Sequence, residues 1–190
     1  MTVDIFEIAL ILVLLAAFAV VFFITAGAIV ILFFRVPFAP TPQRNVERIM
    51  ELFNLRPGET FFDLGCGDGR FIIEAQKRQA QATGFEISPW AYVRCRLNLL
   101  LNRSQAQVRY KNFYSADLRT ADAVFCFLIT SVMPRVEQKL RNELKSGSRV
   151  ICYGFPLPQW PPEKIIELKP GKPTSSKIYL YQKTARTLTN

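Results

Sequence analysis

Apolar residues form one long run near the start of the chain. The run from Ile8 to Phe34 contains no charged residue, and Thr25 is its one conventionally polar side chain. It exceeds the ~20 residues that a helix needs to cross a bilayer core. The pattern therefore predicts a transmembrane helix that tilts or extends into the headgroups, since it is longer than a ~30 Å core at ~1.5 Å per residue. A signal peptide fits less well, because no basic segment precedes the run.

Beyond this run, short apolar segments alternate with helical patterns. Seven strands are predicted near residues 60–64, 82–86, 107–111, 123–128, 149–153, 165–168 and 177–181. Helices are predicted from Thr41-Pro42 to about Asn54 and near residues 70–77, 89–101 and 134–144. This alternation predicts an α/β fold with a Rossmann-like, doubly wound, seven-stranded sheet. The last strand closes a hairpin and is expected to run antiparallel.

The first predicted strand leads into a glycine-rich loop. Asp63 is followed by glycines at every second position, Gly65, Gly67 and Gly69, and then directly by a helix. Glycine lets the backbone bend sharply and approach a ligand, and the helix points its positive end at the loop. A dinucleotide fingerprint would place its third glycine at Arg70. The carboxylate of Asp63 also suits a cationic group better than a pyrophosphate, so the loop favours a nucleoside amino acid over NAD.

A second carboxylate follows the next strand. Glu86 stands about 20 residues after the glycine loop, at the position from which an acid accepts hydrogen bonds from both ribose hydroxyls. Ser88-Pro89 is then typical of a helix N-cap with proline in the first turn. Together the two segments indicate a nucleoside-binding site.

These motifs resemble those of a known enzyme class. Asp63-Leu-Gly-Cys-Gly-Asp-Gly69 with Gly84-Phe-Glu86 is similar to motif I and the acidic loop of class I, seven-strand methyltransferases that use S-adenosyl-L-methionine. A narrower resemblance, from Val36 to about Tyr181, includes the segments 36–42, 86–90 and 155–160. It is to a small membrane-anchored family whose eukaryotic members are mitochondrial protein-lysine methyltransferases.

The resemblance implies a set of cofactor-binding residues. Besides the loop glycines and the two acids, it assigns the cofactor site to Thr41, Cys66, Ile87, Asn112 and Phe113. Many class members have Asp where this chain has Asn112, and Phe113 fits a core position equally well. The apolar run, the proline-rich segment after it and the alternating strands and helices predict three segments: residues 1–35 as a membrane anchor, 36–58 as a linker and first helix, and 59–190 as the methyltransferase domain.

The acceptor side is less specified. The segment after the fourth strand, with Phe127 and Thr130, lacks the Asn/Asp-Pro-Pro-Tyr sequence of many methyltransferases that act on nucleic-acid bases and glutamine. After the fifth strand, Tyr153, Phe155 and Trp160 lie in a proline-rich loop at the sheet edge where ligands bind. Their rings are candidates for an acceptor channel that favours a cation. A rigid loop whose aromatics only pack is equally compatible with the sequence.

Charge indicates a membrane orientation and a partner. The chain has a formal net charge of +9, and no Lys or Arg precedes Arg35. The positive-inside rule predicts that the N-terminus is outside and the remainder cytoplasmic. The missing basic presequence favours a prokaryotic plasma membrane over a mitochondrial inner membrane. The basic surface suits anionic lipid; a membrane tether makes nucleic acid an unlikely partner, and a basic surface that only aids solubility also fits.

Residue usage excludes several chemistries. The four cysteines, Cys66, Cys95, Cys126 and Cys152, show neither CxxC pairing nor metal-site spacing. Cys126 and Cys152 fall in apolar strands and are expected to be buried, reduced thiols. The chain has no histidine, which excludes a His base, a Ser-His-Asp triad and the commonest zinc sites. We predict no metal and name no catalytic residue.

The sequence thus leads to one main hypothesis and two alternatives. The main one is a membrane-anchored methyltransferase that acts on lysine of a membrane or membrane-associated protein, because a tether raises the local concentration of such substrates. The first alternative is methylation of a lipid or lipophilic small molecule. The second is an inactive cofactor-binding scaffold, against which the intact carboxylates and glycines argue.

Overall fold

The computed structural model describes residues 5–34, 41–168 and 176–184. The predicted proline-rich linker at 36–40 and hairpin turn at 169–175 lie outside these residues. The helices are α1 Ile5–Phe34, α2 Gln43–Phe53, α3 Arg70–Lys77, α4 Pro89–Leu101 and α5 Met133–Glu143. The strands are β1 Thr60–Leu64, β2 Gln81–Glu86, β3 Gln107–Tyr110, β4 Ala123–Cys126, β5 Arg149–Tyr153, β6 Lys164–Glu167 and β7 Lys177–Gln182. The predicted strands are confirmed, each boundary to within two residues.

The seven strands form one sheet in the order β3-β2-β1-β4-β5-β7-β6. Strands β1 to β5 are parallel, whereas β7 runs antiparallel to both β5 and β6. The predicted fold class and antiparallel last strand are therefore confirmed. Strand order reverses between β1 and β4, and ligands bind at such a switch point, outside the carboxyl ends of the strands.

Apolar residues are buried on both faces of the sheet. On one face, α2 contributes Val46, Ile49, Met50 and Phe53 to a core with α3. On the other face, α5 packs through Val136 and Leu140. Each large apolar side chain contributes ~1.5–3 kcal/mol when buried. Helix α2 thus packs against the sheet through its apolar side.

Helix α1 has a different environment. Its segment Phe6–Ala28 is long and apolar enough to cross a membrane, and none of it is buried inside the protein. Helix α1 nevertheless contacts α4 along part of its length. The sheet and α1 together enclose the site described next.

Candidate active site

A cavity of about 970 Å³ lies at the carboxyl ends of β1, β2 and β4. This is at the upper end of the ~300–1,000 Å³ range typical of small-molecule sites. Its wall includes the glycine loop, the ends of these strands, the start of α4 and a part of α1. Among the predicted cofactor residues, the cavity is lined by Thr41, Asp63, Gly65, Cys66, Gly67 and Glu86.

The glycine loop is held by backbone hydrogen bonds to β2. The N–H groups of Gly65 and Cys66 both donate to the Phe85 carbonyl at 3.0 Å, and Gly69 N–H donates to the Cys66 carbonyl at 2.9 Å. All three loop glycines have positive φ. A Cβ at Gly69 would lie 2.5 Å from Cys95 Sγ on α4, so the third glycine is required for close helix packing.

Asp63 is the most unusual group in the cavity. The side chain is buried, and its Oδ2 has no hydrogen-bond partner among the residues that the structure describes. Burial, together with the neighbouring carboxylates Glu86 and Asp68, raises the pKa of Asp63 well above its usual value. A buried acceptor without a partner is costly, and a cationic hydrogen-bond donor in the cavity would satisfy it.

Glu86 is in a contrasting position, since three backbone groups already donate to it. Its Oε1 accepts from the N–H groups of Ile87 and Ser88 at 2.8 Å, and its Oε2 accepts from Gly67 N–H at 2.9 Å. A carboxylate has about four acceptor sites, so capacity remains for a ligand hydroxyl. Glu86 therefore also fixes the glycine loop against the end of β2, a role that the sequence did not predict.

Asp68 and Arg70 are site residues that the sequence reasoning missed. Arg70 donates to Asp68, with Nε 2.8 Å from Oδ1, and to the Thr41 carbonyl. Burial opposes ionisation of Asp68, but the Arg70 guanidinium outweighs it and lowers the pKa of Asp68. This network joins the segment before α2 to the glycine loop. The signal for it is the Asp-Gly-Arg sequence inside the motif, where an acid and a base stand two residues apart.

Two aromatic rings from the predicted acceptor set reach the cavity. Phe127 and Phe155 both line it, and Phe127 packs 4.8 Å from the Tyr153 ring. A Cβ at Gly154 would lie 3.2 Å from Phe127, so this glycine leaves room for the ring. Tyr153 is buried behind Phe127, with its hydroxyl 3.4 Å from Asn45 Nδ2.

Other predicted residues lie elsewhere. Trp160 is buried in the core beside Tyr181, with ring centroids 5.7 Å apart, and Thr130 is exposed on a 3₁₀ turn. Asn112 caps the turn at Phe113 by accepting from Tyr114 N–H, and the Phe113 ring packs in the core. None of these four residues lines the cavity. Gly69 and Ile87 support its wall through the backbone.

The four cysteines are free and buried. Cys126 and Cys152 face each other across β4 and β5, with Sγ atoms 3.2 Å apart. Hydrogen bonding to Cys95 and burial raise the pKa of Cys66, and burial and Cys126 raise that of Cys152. The thiols of Cys66 and Cys152 are therefore protonated at neutral pH and poor nucleophiles.

The sequence of this chain is similar to those of known proteins. The model of the ANTKMT methyltransferase domain matches residues 63–164. A protein-lysine N-methyltransferase of Saccharolobus islandicus is 35% identical, over 77% of this chain and 92% of its own length. The adenine nucleotide translocase lysine N-methyltransferase of Mus musculus is 36% identical, over 70% of this chain and 58% of its own. The chain thus spans little more than half of that mammalian relative.

A solved structure extends the comparison. An RNA methyltransferase from Salinibacter ruber in complex with S-adenosyl-L-homocysteine superposes with a TM-score of 0.71 and 27% identity, over 77% of this chain and 95% of that one. A magnesium protoporphyrin IX methyltransferase from Synechocystis, with bound cofactor, has a TM-score of 0.63 over 75% of this chain and 79% of its own. At 15% identity, that second likeness shows the fold alone.

Proposed function

We infer the function from the premise that the chain belongs to the ANTKMT methyltransferase domain family and uses S-adenosyl-L-methionine. We propose that it is a membrane-anchored enzyme that methylates lysine of a membrane or membrane-associated protein. Curated relatives carry the names of lysine methyltransferases, and two such names specify the adenine nucleotide translocase and a component of ATP synthase. Both names describe those relatives; for this chain, a membrane-protein acceptor is part of the proposal.

The polar end of the cavity fits the cofactor. When bound, S-adenosyl-L-methionine supplies an activated methyl group on a sulfonium, an ammonium group and a ribose. Asp63 Oδ2, buried without a partner, is the acceptor that we assign to the cationic part. The remaining acceptor capacity of Glu86 is assigned to the ribose hydroxyls, and Gly65 and Gly67 allow close approach of the backbone. The orphaned carboxylate oxygen is the observation that supports this fit.

The apolar end of the cavity fits a lysine side chain that has lost its proton. A free lysine has a pKa of ~10.4, and its ammonium is disfavoured where water is excluded. Phe127, Leu128 and Phe155 would exclude water here and hold the four-carbon stem. Because the methyl group is already activated, positioning of the nucleophile is the main requirement. We assign no residue as a general base.

One observation supports a membrane protein as the substrate. The same cavity is lined by the glycine loop and by Phe23, Ile24 and Gly27 of the apolar helix α1. The proposed anchor is thus a wall of the proposed active site, and an acceptor that enters beside α1 is itself close to the bilayer. This favours a membrane protein over a soluble one.

The location and the domain limits follow as further parts of the proposal. We propose a single transmembrane pass, an outside N-terminus and a cytoplasmic enzyme domain in a prokaryotic plasma membrane, on the charge distribution given above. We also propose residues 1–35 as the anchor and 59–190 as the core of the enzyme domain. Since α2 packs in the core of the sheet, the enzyme domain extends back to include it.

Methyl transfer in reconstituted membranes tests the proposal. The full chain is placed in vesicles with membranes of the source organism and labelled S-adenosyl-L-methionine. Protein, lipid and RNA are then separated. We expect label in protein, recovered as methyl-lysine after hydrolysis. Label confined to lipid or RNA would overturn the lysine assignment.

A pair of glycine variants makes this test specific. Gly67→Val alters the loop, where φ is +55°, and is expected to abolish the label. Gly147→Val introduces a comparable strain at φ +87°, in a turn where a Cβ meets nothing within 4 Å. It should retain labelling while showing a similar loss of thermal stability. If both variants were labelled equally, the assignment of the glycine loop to the cofactor site would be wrong.

A further inference from the structure

Helix α4 carries two apolar stripes on opposite sides. Ala91, Cys95 and Leu99 form the inner stripe and are buried in the protein. A second set of large apolar side chains, which we call the outer stripe, is exposed: Trp90, Val93, Leu97, Leu100 and Leu101. The inner stripe accounts for the packing of α4 on the sheet. The outer stripe has no such role.

The outer stripe is geometrically continuous. At ~100° per residue, its five side chains fall within an arc of about 100° on the side opposite the inner stripe. Arg94 and Arg96, both exposed, lie just beyond the two edges of this arc. An apolar stripe bordered by basic residues is typical of a helix that lies in the interface of an anionic membrane.

The rest of the described chain does not cover this stripe. Helix α1 contacts α4, yet Leu100 and Leu101 remain 75% and 79% exposed. Helix α5 provides a comparison, since it also packs on the sheet through one face. Its exposed residues are Pro134, Arg135, Gln138 and Asn142, which are not large apolar side chains. An exposed stripe of large apolar side chains is therefore present on α4 and absent from α5, although both helices pack on the sheet.

We propose that the outer stripe of α4 lies in the interfacial layer of the bilayer that α1 enters. This rests on the membrane anchoring in the proposed function. The contact of α1 with α4 brings the stripe next to the span. Arg94 pairs with Asp68 at 3.8 Å, and the exposed Arg96 is placed to meet anionic lipid phosphates. The residues of α1 that line the cavity lie between Ala19 and Ala28, from the middle of the helix toward its C-terminal end, which is the end nearest the enzyme domain in the sequence.

The proposed docking would define where the acceptor lysine is found. Trp90 and Ala91 begin α4 and also line the cavity. With the outer stripe in the interface, the cavity lies at the level of the lipid headgroups. The substrate class then narrows to lysines of membrane proteins at headgroup level on the side of the enzyme domain. Lysines on long soluble extensions would be poorer substrates.

A depth measurement tests the docking without requiring activity. The four native cysteines are buried, so a fluorescent label on Leu97→Cys in the full chain reports on the stripe alone. Gln138→Cys, on the exposed face of α5, is the matched control. The protein is reconstituted in vesicles of phosphatidylcholine and phosphatidylglycerol, with quenchers carried on the lipids. We expect the label at 97 to lose about half or more of its emission and the label at 138 to lose little.

The alternatives predict other results. A label at 97 that is accessible to an aqueous quencher and unaffected by lipid quenchers would overturn the proposal. A label shielded from both would indicate a second copy or a partner protein on the stripe, and would also overturn the bilayer assignment.

An activity measurement links docking to substrate choice. The double variant Leu97→Glu and Leu101→Glu should reduce lipid quenching of a label at Val93→Cys. It should also lower methylation of a membrane acceptor about tenfold or more, with unchanged affinity for S-adenosyl-L-homocysteine. Unchanged methylation would overturn the link to substrate choice. If the label on the outer stripe is quenched by lipid but the protein methylates no lysine, the docking of α4 is supported and the proposed function is refuted.

Discussion

The two ends of the cavity are built in different ways. At the polar end, Asp63 and Glu86 lie on two adjacent strands and Gly67 lies in the loop after the first. A hydrogen bond from Gly67 N–H to Glu86 Oε2 joins that loop to the second strand. At the apolar end, Phe23, Phe127 and Phe155 come from α1 and from the segments after β4 and β5. The first end is local in sequence, whereas the second is assembled from three distant parts of the chain.

This difference separates two tasks. The polar end contains carboxylates that a cationic ligand with hydroxyl groups would satisfy, so its chemistry is restrictive. The apolar end provides only a shape and a region without water, and many acceptors could use both. Selectivity among acceptors therefore has to come from which of them can reach the cavity. Access is governed by α1 and, in our proposal, by the outer stripe of α4. Cofactor choice would then belong to the loop, and acceptor choice to the membrane.

The largest effect is expected at the polar end. Asp63→Asn keeps the shape but removes the charge, and a hydrogen bond to a charged group is worth ~1.5–3 kcal/mol. We expect S-adenosyl-L-homocysteine to bind about 100-fold more weakly by calorimetry. The unliganded variant should have a higher Tm, because Asn carries no negative charge for burial and the nearby Glu86 and Asp68 to disfavour. Asp117→Asn, on an exposed ion pair with Arg119, is the control and should leave affinity unchanged.

The same residue should make ligand binding depend on pH. Asp63 has a raised pKa in the unliganded protein, and a cationic ligand favours its ionised form. Affinity should therefore rise with pH up to that raised pKa, by at most about tenfold per pH unit for one proton. Asp63→Asn should remove this dependence on pH. An unchanged profile in the variant would show that another group titrates.

The pH dependence of stability should have the opposite sign. Asp63 keeps its proton to a higher pH in the folded state than in the unfolded chain. Between the two pKa values, the folded state therefore binds more protons than the unfolded state. The free energy of unfolding from this group then falls as pH rises from about 3.8 toward the raised pKa. Below about 3.8 this stability is fully present and no longer depends on pH. Thermal unfolding at a series of pH values should show the Tm advantage of Asp63→Asn growing with pH.

Glu86 should show a smaller and different effect. In Glu86→Gln one oxygen becomes an NH₂ donor that faces backbone N–H groups, so the loop loses hydrogen bonds. We expect a loss of stability of ~1–3 kcal/mol and about tenfold weaker binding of S-adenosyl-L-homocysteine. Glu143→Gln, which removes an acceptor of Leu118 N–H away from the cavity, should lose stability but keep its affinity. A fully stable Glu86→Gln would refute the anchoring role.

The smallest effect is expected at the apolar end. Phe155→Ala should leave cofactor affinity unchanged and lower kcat/KM for a lysine acceptor about three- to tenfold, since one aromatic contact is worth ~1 kcal/mol. Ile165→Ala, an exposed apolar residue on β6, serves as the control. Weaker cofactor binding by Phe155→Ala would contradict the division between the two ends.

The sequence by itself determined the sheet, the glycine loop and the two principal carboxylates. Strands alternate with helices at a spacing that identifies a doubly wound sheet, and Asp63 and Glu86 each stand at or next to the end of a strand. Such signals come from residues that are neighbours in the chain, so hydrophobic period and turn chemistry are sufficient to locate them. The seven strands and the antiparallel last strand followed from these patterns.

Tertiary structure alone decided which aromatic residues face the cavity. Phe155 and Trp160 belong to one loop, yet Phe155 lines the cavity and Trp160 is in the core. The loop is fixed by bonds from distant residues: Tyr181 Oη accepts from Leu157 N–H, and Glu137 accepts from Gln159 N–H. Side-chain direction in an irregular loop has no sequence period, so it depends on contacts made across the fold. The same holds for α1, since its apolar run does not specify that it contacts α4 and lines the cavity.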